Sequence, residues 1–185
     1  MMDIFLPFDF AVLDWIAEHL RCAFLDVLMP LITRLGDKGI FWIAVAVLML
    51  IFPKTRKAGA MLGVAMLLGL LIGNKCLKPL IARIRPYDLR EIIPYLIEPE
   101  SSKSFPSGHT LVSFEAATVL MLRYRKPWGI LALIAAFLVG FSRLYLFVHY
   151  PTDVIGGILL GVLFGFCGMW IVNAVTGLWQ KRKKA

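Results

Sequence analysis

Charge is scarce in this chain, and acidic charge scarcer still. Only 17% of the 185 residues are Asp, Glu, Lys or Arg, with 12 acidic against 20 basic. With 59% apolar residues and a mean hydropathy of +0.78, this excludes an ordinary soluble domain, in which about a quarter of residues are charged. Cysteine is limited to Cys22, Cys76 and Cys167. An odd, scattered set without metal or redox spacing argues against a disulfide framework or a thiolate site, and the three read as small apolar residues in helices. A basic n-region is also missing: "MMDIFLPFDF" carries an acidic residue where a secretory signal carries Lys or Arg, so no separate signal peptide is expected. What the chain has in abundance is apolar runs near the ~20 residues needed to cross a bilayer core. The expected class is an all-α integral membrane protein of a single domain.

Five segments read as spans: residues 39–52, 58–77, 107–122, 128–147 and 154–179. The first is short and must borrow flanking residues or thin the bilayer. Small residues recur in the others, as in "GGILLGVLFGFCG", which lets helix backbones approach closely. In residues 1–36, Asp9, Asp14, Glu18, Arg21 and Asp26 interrupt apolar positions at helical spacing. Amphipathic helices lying in the interface fit that pattern, with a tilted sixth span as the alternative. The expected organisation is therefore an amphipathic N-terminal segment over residues 1–36, a transmembrane domain over 37–179 and a basic tail over 180–185.

Orientation follows from the basic residues. Lys54, Arg56 and Lys57 follow the first span, Arg123, Arg125 and Lys126 follow the third, and Lys181, Arg182, Lys183 and Lys184 form the tail. With alternating spans all three groups share one side, which the positive-inside rule makes the cytoplasm. The net charge of +8 is thereby explained by topology and anionic lipid, and nucleic acid is not needed as a partner. The opposite face holds the loop 78–106, in which Lys78, Arg83, Arg85, Arg90 and Lys103 are nearly matched by Asp88, Glu91, Glu98 and Glu100.

Three polar clusters meet at that outer end: "KPLIARIRP", "PSGH" and "SRLYLFVHYPTD". Lys78, Arg85 and Arg143 supply cationic donors, and arginine presents a planar fork suited to phosphate oxygens. Ser107 is a candidate N-cap of the third span, and Gly108 allows close approach to a helix N-terminus that favours anions. His149 precedes Asp153 by four residues, a spacing at which the carboxylate can fix the tautomer and leave the other ring nitrogen free to attack phosphorus. His109 is placed to donate a proton to a leaving oxygen. Arg83 is a candidate fourth phosphate contact. Tyr145, Phe147 and Tyr150 read as an interfacial aromatic belt, and Glu115 as an intramembrane carboxylate with either a functional or a helix-pairing role.

"K-x6-RP", "PSGH" and "SR-x5-H-x3-D", in this order, resemble the three-part signature of the type 2 phosphatidic acid phosphatase superfamily, in its bacterial membrane lipid phosphatase branch. Every signature position is filled, from Lys78 to Asp153. The resemblance implies a phosphohydrolase that uses neither metal nor cofactor. In it His149 would form a phosphohistidine, Asp153 orient it and His109 protonate the leaving group, while Lys78, Arg85, Ser107, Gly108 and Arg143 hold the phosphoryl oxygens. It also implies a lipid phosphate as substrate, with undecaprenyl diphosphate preferred and phosphatidylglycerophosphate, phosphatidic acid and lipid A phosphates as alternatives. The implied location is the bacterial cytoplasmic membrane, with the site outside and the C-terminus in the cytoplasm. A lipid-phosphate transporter or flippase is the competing class, but its binding site would lie near the midplane rather than at one face.

Overall fold

A computed structural model of the chain describes residues 2–90, 95–124 and 126–182, and within them the side chains of residues 4–178. Glu91, Arg125 and the tail residues Lys183 and Lys184 lie outside the described residues. Every regular element among the described residues is helical. Two short helices, α1 (Leu6–His19) and α2 (Ala23–Thr33), lead through a 3₁₀ turn (Arg34–Gly39) into α3 (Ile40–Ile51). Next, α4 (Arg56–Leu68) widens into a π-helical stretch (Gly69–Leu77) and ends as α5 (Lys78–Ile81). The single turn α6 (Pro86–Leu89) precedes a long loop, followed by α7 (Gly108–Tyr124), α8 (Trp128–Tyr145) and α9 (Pro151–Arg182). Proline opens both α6 and α9, where its missing N–H costs no helical hydrogen bond.

α7 is the hub, touching α9, α8, α4, α3, the 3₁₀ turn and the π-helical stretch. Its buried residues Phe114, Ala116, Ala117 and Val119 join Met61 and Leu62 of α4 and Ala136 of α8 in the main core. In a bilayer, burial against lipid gains little, so close van der Waals packing must hold such a bundle. The sequence provides it with glycine on α9. A Cβ at Gly161 would stand 2.6 Å from the Leu111 carbonyl oxygen of α7, and one at Gly168 2.6 Å from that of Met61 on α4.

Among the described residues, three stretches are long and apolar enough to cross a membrane: the run from Arg56 to Leu89, Trp128–Tyr145 and Pro151–Leu178. Two of the five expected spans differ in kind. α3 has 12 residues, about 18 Å at 1.5 Å per residue. α7 has 17 residues and is wrapped by the other helices, with nine of its side chains buried. Exposed Leu131, Phe137, Leu159, Leu163 and Trp170 give α8 and α9 their apolar outer surface.

Backbone strain gathers at the polar end of the bundle. Lys38, Ala82 and Phe147 are non-glycine residues at φ of +51°, +51° and +58°, a region that costs such residues energy and tends to accompany functional sites. Ala82 ends α5 by returning its N–H to the Lys78 carbonyl, which lets Ile84 and Arg85 run extended into Pro86. Phe147 lets the chain after α8 curl back, so that the N–H groups of Val148 and His149 both reach the Arg143 carbonyl. This curl corrects the aromatic-belt expectation: Tyr145, Phe147 and Tyr150 are buried and pack against α1 and α2 instead of facing lipid.

Candidate active site

The three polar clusters converge because alternate helix ends meet. α5 and α8 finish where α7 and α9 begin, and the Ser107 N–H, just before α7, donates to the Asp153 carbonyl in the first turn of α9 at 3.1 Å. Ser107 precedes the first residue of α7, its carbonyl accepting from Leu111, but its hydroxyl meets Thr110 Oγ1 at 2.9 Å.

His149 and Asp153 are fully buried. The imidazole Nδ1 lies 3.4 Å from Asp153 Oδ2 and 3.4 Å from Ser104 Oγ, while the Ser104 hydroxyl also donates to Asp153 Oδ2. The Tyr150 N–H donates to the same carboxylate oxygen at 3.0 Å. On the other side of the ring Nε2 faces Arg85 Nη1 at 3.3 Å. Arginine can only donate, so Nε2 is the acceptor and the ring proton sits on Nδ1, toward Asp153. Burial, then Arg85 and Arg143, hold His149 well below the ordinary histidine value, so the ring is neutral with its Nε2 lone pair available.

Arg85 and Arg143 are both buried, and they share one anion. Arg85 Nη2 donates to Glu100 Oε2 at 2.6 Å, and Arg143 Nη2 donates to Glu100 Oε1. Backbone anchors aim the first fork: Arg85 Nε donates to the Ser102 carbonyl at 2.7 Å and Nη1 to the Val148 carbonyl at 2.8 Å. Thr33 of α2 anchors the second, accepting from Arg143 Nη1 at 2.6 Å. Burial favours the neutral acid at Glu100, yet Arg143 and Arg85 together hold its carboxyl down to about 2. Among the described residues Arg143 Nε is buried with no partner, a donor left over for a larger oxyanion. The pocket thus fits a phosphate, with Glu100 standing in for two of its oxygens.

A cavity of about 880 Å³ opens in front of this pair. Lys78, Asn74, Glu100, Gly108 and His109 line its polar end, and Ile43, Met66, Leu67, Leu70 and Val112 its apolar depth. His149, Arg85 and Arg143 are not on its wall; they lie behind Glu100. A Cβ at Gly108 would stand 3.7 Å from Lys78 Nζ and 3.0 Å from Asn74 Oδ1, so bare backbone faces the lysine. His109 directs Nε2 to Asp37 Oδ1 at 2.8 Å, and its ring packs on Gly36, where a Cβ would stand 2.6 Å from Cδ2.

Arg83 does not face the cavity. Its guanidinium is bonded to Asp9, Thr152 and Asp153, so it is a partner of the His149 network and not a fourth phosphate contact. Glu115 lines the cavity wall and is buried against Gly69 of the π-helical stretch. Sequence reasoning missed Ser104, Glu100, Thr33, Asp37 and Asp9 as neighbours of the site. Asp9, Thr33 and Asp37 reach it from distant elements, while Ser104 and Glu100 lie in the loop just before the PSGH motif; the one available signal for the distant set was an acidic residue recurring in an apolar context, as at Asp9.

Two solved structures share this helical bundle. LpxE from Aquifex aeolicus aligns with a TM-score of 0.77 at 28% identity, over 88% of this chain and 94% of that one. A PAP2-type phosphatidylglycerolphosphate phosphatase from Bacillus subtilis aligns with a TM-score of 0.75 at 30% identity, over 94% and 88% respectively. Among curated sequences, an undecaprenyl-diphosphatase from Sulfolobus acidocaldarius is 38% identical over 153 residues, 82% of this chain and 72% of its own length. The sequence model of the PAP2 superfamily matches residues 57–176, and the chain belongs to that superfamily.

Proposed function

We propose that the chain hydrolyses the phosphate of a membrane lipid through a covalent phosphohistidine, with undecaprenyl diphosphate as preferred substrate and undecaprenyl phosphate as product. The observation that carries this reading is the grip of Arg85 and Arg143 on one carboxylate beside the Nε2 of a neutral, buried histidine. A phosphoryl group entering from the cavity replaces Glu100 on the two forks. Its remaining oxygens meet Lys78, Arg143 Nε and the N-terminus of α7 at Ser107 and Gly108, where the helix dipole favours negative charge.

His149 Nε2 then forms a bond to the terminal phosphorus as the bond from that phosphorus to the bridging oxygen breaks, and the lipid leaves as its monophosphate. Asp153 holds the Nδ1–H and meets the positive charge that the ring acquires. His109, whose Nε2 lies 2.8 Å from Asp37 Oδ1, gives a proton to the leaving oxygen. Water, deprotonated in turn by His109, attacks the phosphohistidine, releasing inorganic phosphate and restoring His149. Side chains carry every step, and neither a metal nor a cofactor is invoked. The basic connectors support placing the site on the outer face of the bacterial cytoplasmic membrane, with the C-terminus inside.

The purified full chain in detergent micelles is expected to release phosphate in the presence of EDTA, and His149→Ala to release none. His109→Gln should lose more activity on alkyl than on aryl phosphates, because aryl alcohols leave without protonation. Turnover by the His149 variant would sink the mechanism. The likeness to the Sulfolobus acidocaldarius enzyme supports the diphosphate substrate. A higher kcat/KM for phosphatidylglycerophosphate, phosphatidic acid or lipid A in the same micelles would overturn that preference and leave the phosphatase reading standing.

A further inference from the structure

Asp9 of α1 is fully buried, although it lies at the other end of the sequence from His149. Its Oδ1 accepts the Thr152 N–H at 3.0 Å, and its Oδ2 pairs with Arg83 Nη2 at 2.5 Å. Arg83 turns its other terminal nitrogen, Nη1, to Asp153 Oδ1 at 2.5 Å and to Thr152 Oγ1 at 2.7 Å. The Arg83 guanidinium also lies 3.9 Å over the Tyr150 ring. Asp153 Oδ2, the remaining oxygen, faces His149 Nδ1 at 3.4 Å. Charge therefore alternates along one buried line, from Asp9 through Arg83 and Asp153 to the imidazole.

Docking of α1 does not require this ion pair. Phe10 and Leu13 already pack against Phe147 and Tyr150 in an apolar cluster, and a buried pair is often no more stabilising than apolar residues of the same size. The electrostatic consequence at His149 is more specific. Arg83 on its own would draw Asp153 away from the imidazole and oppose positive charge there; an acidic partner on its far side offsets that field. We infer that Asp9 is a positioning residue for the nucleophile: by neutralising and orienting Arg83, it leaves Asp153 free to stabilise the charge that His149 acquires on attacking phosphorus. The inference rests on the reading of His149 as nucleophile.

The other charged groups acting on His149 are Arg85, Arg143, Lys78 and Glu100, all on the cavity side of the ring. Among the described residues the Asp9 carboxylate is hydrogen-bonded to Arg83 and Thr152, with the Tyr150 ring nearby. Its neighbour Arg90 stacks over Phe10 and pairs with exposed Asp14. A change at Asp9 thus reaches the imidazole through Arg83.

The test uses the purified full chain in detergent, with an aryl phosphate as substrate. Asp9→Asn is nearly isosteric and removes only the charge. Its kcat is expected to fall about ten-fold or more, the scale on which outer partners of a reacting imidazole act. KM should stay within about two-fold, because phosphate-binding groups are untouched. The acid limb of kcat/KM should move to lower pH, since Arg83 without its partner weakens proton binding at His149. Asp9→Asn/Arg83→Gln removes both charges and should return the limb to the wild-type position or above it; it also serves if the single variant does not fold. An unmoved limb in Asp9→Asn, or a double variant whose limb stays low, overturns the inference and reduces Asp9 to an anchor for α1. His149→Ala is the separate control: activity there removes the nucleophile reading itself.

Discussion

Glu100 carries the same sign of charge as a phosphate, and it accepts from both Arg85 and Arg143. Those guanidiniums are buried, so removing the carboxylate leaves two cations close together without compensation. Glu100→Gln is therefore expected to lower Tm while tightening inhibition by vanadate, which no longer competes with a resident anion. Vanadate should restore the lost Tm, since a ligand that binds only the folded state stabilises it by mass action. Unchanged vanadate affinity in a folded variant would show that Glu100 does not occupy the phosphate position. The pH dependence has a definite sign. The folded carboxyl is depressed from 4.5 to about 2, so the stabilisation from Glu100 is fully present above about 4.5 and is lost as pH falls toward 2. His149 works in the same direction: its folded proton affinity lies below the ordinary 6.5, so unfolding is favoured as pH drops below that value and the ring can charge only when exposed.

At the scale of elements, the site depends on how closely α7 and α9 approach, because one opens with Ser107–His109 and the other with Pro151–Asp153. Gly157, Gly161 and Gly165 set that distance. At Gly161 an added Cβ meets the Leu111 carbonyl oxygen at 2.6 Å and Phe114 Cβ at 2.8 Å, contacts that only a shift of backbone can relieve. Gly161→Ala is expected to cost about 1–3 kcal/mol, the usual penalty of overpacking, with a lower Tm and a fall in kcat. Gly177→Ala on the same helix is the control: nothing among the described residues lies within 4 Å of its added carbon, so Tm should hold or rise slightly. Equal effects from the two would mean that the glycines answer to helix propensity and not to packing. The glycine pattern and the helical frame were legible in the sequence, since small residues at four-residue spacing in an apolar run have few other readings. The widening of α4 over Gly69–Leu77 was not. It depends on how Gly69 and Gly73 press against Glu115 and Leu111 of α7, a contact that local sequence does not contain.

Across the whole molecule, the contact of His149 with Asp153 could be read from spacing because the two lie four positions apart where α9 begins, whereas Lys78 and Arg85 find their partners only across the fold. Asp9, Thr33, Asp37 and Glu100 could not be read so either, because only the folded bundle brings them to the same end. The membrane orientation lies between these cases: the basic connectors argue for it, and one residue allows a direct measurement. Cys22, between α1 and α2, is exposed, and its N–H donates to the Tyr145 hydroxyl at the end of α8 that carries Arg143. It thus marks the site's end of the bundle. Cys167 lies well inside α9, away from both ends. Should the site face outward, a membrane-impermeant maleimide added to intact cells will label the wild-type chain, and Cys22→Ser, made in a Cys76→Ser background because Cys76 is exposed near Lys78 at the same end, will abolish most of that labelling. Prior blocking from outside should then leave Cys22 unlabelled after lysis. Labelling of Cys22 only after the membrane is opened would place the phosphate site on the cytoplasmic face. That outcome would reverse the orientation inferred from the basic connectors and limit the substrate to lipids that present their phosphate inside.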